Sequence, residues 1–237
     1  MKKLIAIILT LMLGFSLGGC GGGQQTDDLA KQSGQPTIDI RDMDGLYDFV
    51  NAEVYQMSRE DFDMGFKIFF MDVTGNGNED AVMFNDLDWS TNIEIVIVNG
   101  DQYKIIKTDL QVQKYKNEFE MQDGFLKVLQ ASGGTGIYWE VMSLLKYDNG
   151  RMVTVLEYLE IESRESPVAE WYSEHTAQIT GTLSNFDYVL TKDDNGEKSV
   201  ERWHYTYNKD TLSFDEKNID DAEQNTQHSE SVNTSDV

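Results

Sequence analysis

Between Asp72 and Asp80 the chain reads Asp-Val-Thr-Gly-Asn-Gly-Asn-Glu-Asp, so Asp72, Thr74, Asn76, Asn78 and Asp80 place oxygen-bearing side chains on alternate residues. Hard oxygen donors at this spacing, with Gly75 and Gly77 where the backbone must turn sharply, are what a calcium loop requires. The same residues also make a metal-free turn, because Asp and Asn side chains hydrogen-bond the backbone a few positions on. The sequence alone leaves both readings open. Calcium affinity follows the number of charged ligands, and here only the first and ninth positions are carboxylates, which predicts a weak site or an empty turn.

The second residue with distinctive chemistry is Cys20, the only cysteine among 237 residues, which rules out an intramolecular disulfide and any two-cysteine metal site. It follows Lys2, Lys3 and an apolar stretch from Leu4 to Leu17, the pattern of a secretory leader too short to span a bilayer comfortably.

The elements that must position the loop flank it directly. Ile68–Met71 leads in and Ala81–Phe84 leads out, each an apolar run of buried-strand length. Strand, oxygen-rich glycine loop and strand together resemble the calcium loop of FG-GAP and VCBS-type β-propeller repeats. The segment from Ser132 to Gly150 is similar to stretches of lipoproteins that carry such a loop. That resemblance implies cation ligation by Asp72, Asn76 and Asp80, with the Asn78 carbonyl and the Thr74 hydroxyl. The chain departs from the pattern at the third position, Thr74, and at the neutral fifth, Asn76. The leader ends in Leu17-Gly18-Gly19-Cys20, which resembles the lipobox of bacterial lipoproteins. It implies cleavage before Cys20, a covalent diacylglycerol on its thiol, and a mature protein anchored on the extracytoplasmic face of a cell membrane.

Charge constrains the partners. Without Lys2 and Lys3 the chain holds 17 basic against 42 acidic residues, a formal charge of −25. Such a body repels nucleic acid and anionic headgroups, so membrane contact is expected through the lipid alone, with a protein or carbohydrate as ligand. Residues 1–19 read as leader and 20–40 as lipidated cysteine and flexible linker. A β-rich domain with an N-terminal helix is expected at 41–215, and a disordered acidic tail at 216–237.

Within the domain, Leu46, Phe49, Val50, Val54 and Met57 recur at helical spacing, which predicts one amphipathic helix from Met43 to Arg59. Twelve strand candidates follow. Asn99-Gly100, Asp123-Gly124, Asn149-Gly150 and Asn195-Gly196 mark two-residue hairpins between them. The regular spacing of the first three, with Asn76-Gly77 before them, suggests a mainly β fold of antiparallel hairpins in a propeller-like arrangement. Residues 66–215 suffice for only three or four blades, so a partial or open form is expected. Ser166-Pro167 reads as the opening of a helical turn.

Other motifs point to packing rather than chemistry. Ser132-Gly-Gly-Thr-Gly136 lacks the lysine of a phosphate loop and precedes a strand, so it reads as a glycine bend. His175, His204 and His228 have no metal spacing, and the methionines read as core filling. Trp203, Tyr205 and Tyr207 alternate onto one strand face, either a stacking platform or a core. The chain is therefore expected to be a non-enzymatic, lipid-anchored binding or scaffold domain. The alternative is an envelope glycan hydrolase using two of its many acids.

Overall fold

A computed structural model describes residues 39–53, 56–86, 90–99, 102–113, 116–168 and 171–220. Cys20, the leader, most of the linker and residues 221–237 lie outside the described residues. Those that are described form two helices and twelve strands.

The single expected helix is two. α1 (Met43–Glu53) and α2 (Arg59–Gly65) are separate because Ser58 caps the second, its Oγ accepting the Asp61 N–H at 3.1 Å. A hydroxyl that takes a backbone amide starts a helix and interrupts one running through it. Leu46 and Val50 of α1 are buried, Phe49 and Met57 pack beside them, and Val54 lies outside the described residues.

β1 (Phe66–Met71), β2 (Asp80–Asn85), β3 (Ser90–Asn99) and β4 (Gln102–Gln113) form a four-stranded antiparallel meander. Its two faces do different work. Ala81 and Met83 pack with Ile68 and Phe70 against α1 and α2, while Val82 and Phe84 pack with Phe69 and Met71 against the second sheet. A strand buried on both faces explains why Ala81–Phe84 is apolar without alternation.

The second sheet is a meander of eight strands in sequence order: β5 (Lys116–Gln122), β6 (Phe125–Gly134), β7 (Ile137–Asp148), β8 (Arg151–Val168), β9 (Trp171–Thr182), β10 (Asn185–Asp194), β11 (Glu197–Asn208) and β12 (Ser213–Asn218). It is not closed, since β5 and β12 are its two edges. The mainly β, antiparallel expectation holds. β1–β4 form one four-stranded sheet and β5–β12 a single eight-stranded one, not a series of four-stranded units.

The hairpin signals are realised by backbone geometry. Asp123-Gly124, Asn149-Gly150 and Asn195-Gly196 all have positive φ at both residues, between 47° and 90°. That is the type I′ turn whose twist matches the strands. The glycine run Ser132–Gly136 becomes the tip of the β6–β7 hairpin. Ser166-Pro167 opens no helix: β8 continues through Val168. The last strand reaches Asn218, so order extends past the expected boundary at residue 215.

β8 is where the sheet divides. It pairs with β7 from Arg151 onward, but with β9 only from Glu162. The register slips between, and Tyr158 has φ 51°. A bulge of this kind sharpens the local bend. Ser143, fully buried, accepts the Tyr158 N–H at 3.0 Å, and the Tyr158 hydroxyl donates to the Gln111 carbonyl at 3.1 Å. β4 thus covers the free edge of β8, helped by Lys104 on the Gly150 carbonyl at 3.0 Å and Thr154 on Asp109 at 2.7 Å.

Beyond the division, β9–β12 fold back and enclose a second core with Phe125, Met142, Leu144, Val155, Phe186, Tyr188 and Tyr205. Tyr205 is buried there, with Trp203 and Tyr207 packed alongside, so the aromatic strand face is core and not a platform. Burial raises both the Tyr188 and the Tyr205 phenols, the latter to about 12 with the neighbouring Glu216 carboxylate adding to the shift. Met83, Met142 and Met152 are core residues as expected, whereas Met64 on α2 is 58% exposed.

Candidate cation loop

The loop between β1 and β2 is anchored at both ends by the sheet, with Met71 paired to Asp80. Val73 plugs into the core between the two sheets, so the loop is fastened to the body by an apolar side chain as well as by its strands.

Its two carboxylates fold back over the loop's own backbone. Asp72 accepts the N–H of Gly75 at 2.8 Å and of Asn76 at 3.0 Å on Oδ1, and that of Gly77 at 2.8 Å on Oδ2. Asp80 is fully buried, and its Oδ2 accepts the N–H of Val73 at 2.9 Å and of Thr74 at 3.1 Å. Thr74 Oγ1 also lies 3.4 Å from Asp72 Oδ1, so the carboxylates from the two ends of the loop meet at one residue. Gly75 and Gly77, at φ 74° and 88°, supply the left-handed bends that turn successive amides inward.

Of the five candidate ligands, the fold therefore brings Asp72, Thr74 and Asp80 together. Asn76 and Asn78 are exposed, and the Asn76 side-chain oxygen takes the Asn78 N–H at 2.8 Å. This is an Asx turn, which closes the tip without a cation. Among the described residues no three His, Cys, Asp or Glu side chains gather into a metal centre. The donor set is nonetheless all hard oxygen and carries two charges. It fits calcium in type and falls short of a tight site in charge count.

Several neighbours of the loop carry no signal in the sequence around it. Glu79, a third acid, is drawn away by Arg41, whose Nε and Nη2 both donate to Glu79 Oε2 at 2.8 and 2.5 Å. The Arg41 guanidinium also lies 4.6 Å over the Phe70 ring. On the other side, Asp72, Val73, Thr74 and Gly75 form one wall of a pocket of about 270 Å³, with Met121, Gly124, Lys146 and Tyr147 opposite. Nothing in the local sequence links residue 146 to residue 72. Only the packing of one sheet on the other does.

A second polar cluster lies at the far end of the eight-stranded sheet. His175 Nδ1 is 3.0 Å from Glu160 Oε1, and Nε2 is 3.1 Å from Ser173 Oγ. The connectivity is that of a nucleophile, base and acid. Its surroundings oppose catalysis, however. Asp194 Oδ1 stands 3.6 Å from the same Nε2, and Ser173 is paired with Glu165 on one side and Asp194 on the other. Acyl transfer needs donors aimed at a developing oxyanion, and flanking carboxylates disfavour one. We read the cluster as a hydrogen-bonded tie between β8, β9 and β10.

Comparison with family models, with curated proteins and with solved structures gave no significant match.

Proposed function

We propose that the chain is a lipid-anchored, non-enzymatic binding or scaffold domain on the extracytoplasmic face of a bacterial membrane, with the Asp72–Asp80 loop as a weak calcium site. The observation that carries the binding reading is the meeting of Asp72 and Asp80 at Thr74. Two carboxylates from opposite ends of a loop, both already organised by backbone amides, form a preshaped anionic pocket that a divalent cation neutralises. Kinship with FG-GAP and VCBS repeats is part of the same proposal and rests on this loop with its flanking strands. The anchor rests on Leu17-Gly18-Gly19-Cys20. With a diacylglycerol on Cys20 the body needs no spanning segment, because two acyl chains hold a protein stably to a bilayer.

Membrane fractionation together with mass measurement of the mature N-terminus tests the anchor. The wild type should begin at lipidated Cys20 and sediment with membranes, whereas Cys20→Ala should leave an uncleaved or mis-sorted precursor. A mature chain starting elsewhere and free in the medium would overturn it. Turnover of wall or capsule polysaccharides by the purified chain would replace the binding reading with that of a glycan hydrolase.

A further inference from the structure

The pocket beside the cation loop contains an ammonium and a carboxylate that do not pair with each other. Lys146, half-buried on β7, donates to the Gly124 carbonyl at 2.5 Å and lies 4.9 Å from the centre of the Phe125 ring. Among the described residues it has no carboxylate partner, although the chain carries a net charge of −23. An ammonium has three donors, so two remain after the Gly124 bond. Across the pocket, Asp72 is held by the amides of Gly75, Asn76 and Gly77. Each charge is thus fixed to its own wall by backbone, with open space between.

We propose that this pocket binds a uronic acid, the carboxylate of the sugar on Lys146 and its hydroxyls on Asp72 and Thr74. Three observations select that class. Lys146 is the only cation among the described residues lining the space and has no carboxylate partner among them, which favours a ligand that brings an anion. Asp72 is already compensated by backbone amides and acts as a hydrogen-bond acceptor, which suits hydroxyl donors better than a second ammonium. Met121 and Tyr147 supply apolar surface for the C–H face of a sugar ring. The volume, about 270 Å³, is at the small end of ligand sites and suits a single ring. Both polar groups are immobilised before the ligand arrives, which lowers the entropy lost on binding.

The inference rests on the reading of the chain as a binding domain and is independent of calcium. Calorimetric titration of the full-length chain with sodium glucuronate, in EDTA, tests it. Saturable binding is expected for glucuronate and none for glucose. Lys146→Met should weaken glucuronate by at least about tenfold, the loss of one charge-assisted hydrogen bond. The melting temperature of the variant is measured alongside. Should Lys146→Met not fold, the wild type in 1 M sodium chloride replaces it, with a comparable weakening expected from screening of the ammonium. Absence of saturation by glucuronate at 50 mM, equal binding of glucose, or preference for glycine would each overturn the proposal. Because EDTA removes divalent cations, such a failure leaves the loop's calcium reading to its own test.

Discussion

Asn76-Gly77 and Asn149-Gly150 are the same dipeptide in two kinds of turn. At the β7–β8 hairpin both residues have positive φ, 47° and 85°, and the ladder closes immediately on the pair Asp148 and Arg151. The turn is held by backbone twist and by the strands on either side. In the β1–β2 loop only the glycines, Gly75 and Gly77, adopt positive φ, and the amides of the tip converge on Asp72. Here side-chain charge organises the backbone. The contrast teaches that an Asn-Gly signal reports a reversal of the chain, while the carboxylates around it decide whether the reversal is also an anionic pocket.

The largest effect expected from this contrast is at Asp80. Asp80→Ala deprives the Val73 and Thr74 amides of their carboxylate acceptor at a fully buried position. The Val73 N–H keeps the Met71 carbonyl at 3.0 Å, so the Thr74 amide bears the main loss, and urea unfolding should show a destabilisation of about 2–3 kcal/mol, that of a hydrogen bond to a charged acceptor. A change below about 1 kcal/mol would show that the loop is held by its strands, like a hairpin.

Gly150→Ala should cost about 1–2 kcal/mol, because the left-handed backbone penalises a side chain. Little else opposes the substitution, since the nearest atom to an added Cβ is Lys104 Nζ at 3.8 Å. The loss should be the same with and without calcium.

Calcium supplies the next contrast. A weak site with two carboxylates is expected near the extracellular range, a Kd on the order of 10⁻⁴–10⁻³ M. At tenfold excess over Kd the cation stabilises the fold by about 1.4 kcal/mol, or about 3–5 °C in melting temperature for a domain of this size. The shift should appear in the wild type and be absent in Asp72→Asn. If neither added calcium nor EDTA moves the wild type, the loop is an amide-satisfied turn only.

The smallest effect belongs to Asn76→Ala, which removes the exposed acceptor of the Asn78 N–H. A loss under about 1 kcal/mol is expected from unfolding measurements. A larger one would place the organising role at the tip and not at Asp72.

Much of this protein was determined by the sequence itself. Each of the twelve strand candidates overlaps a strand, the last one, Thr211–Phe214, only at Ser213 and Phe214, and the three described Asn-Gly and Asp-Gly hairpins are type I′ turns. Those features follow from steric limits within a few residues, which any chain of that sequence must obey. The loop was legible for the same reason, since Asp72 reaches only as far as Gly77. The reading failed where two local preferences competed. Met43–Arg59 has a continuous apolar stripe, yet the Ser58 hydroxyl starts a new helix, and a stripe shows nothing of where backbone amides find acceptors. Ser166-Pro167 favours a turn on its own, but the pairing of Glu165 with Ser173 keeps it in a strand. Tertiary structure alone decided that eight strands form one sheet, that β8 divides it at Tyr158, and that Arg41 withdraws Glu79 from the loop. It alone set Lys146 opposite Asp72, 74 positions away in the chain. Hairpin order is a local property, but the choice of which sheet face meets which depends on burying apolar area from distant strands together, and no spacing along the chain records that choice.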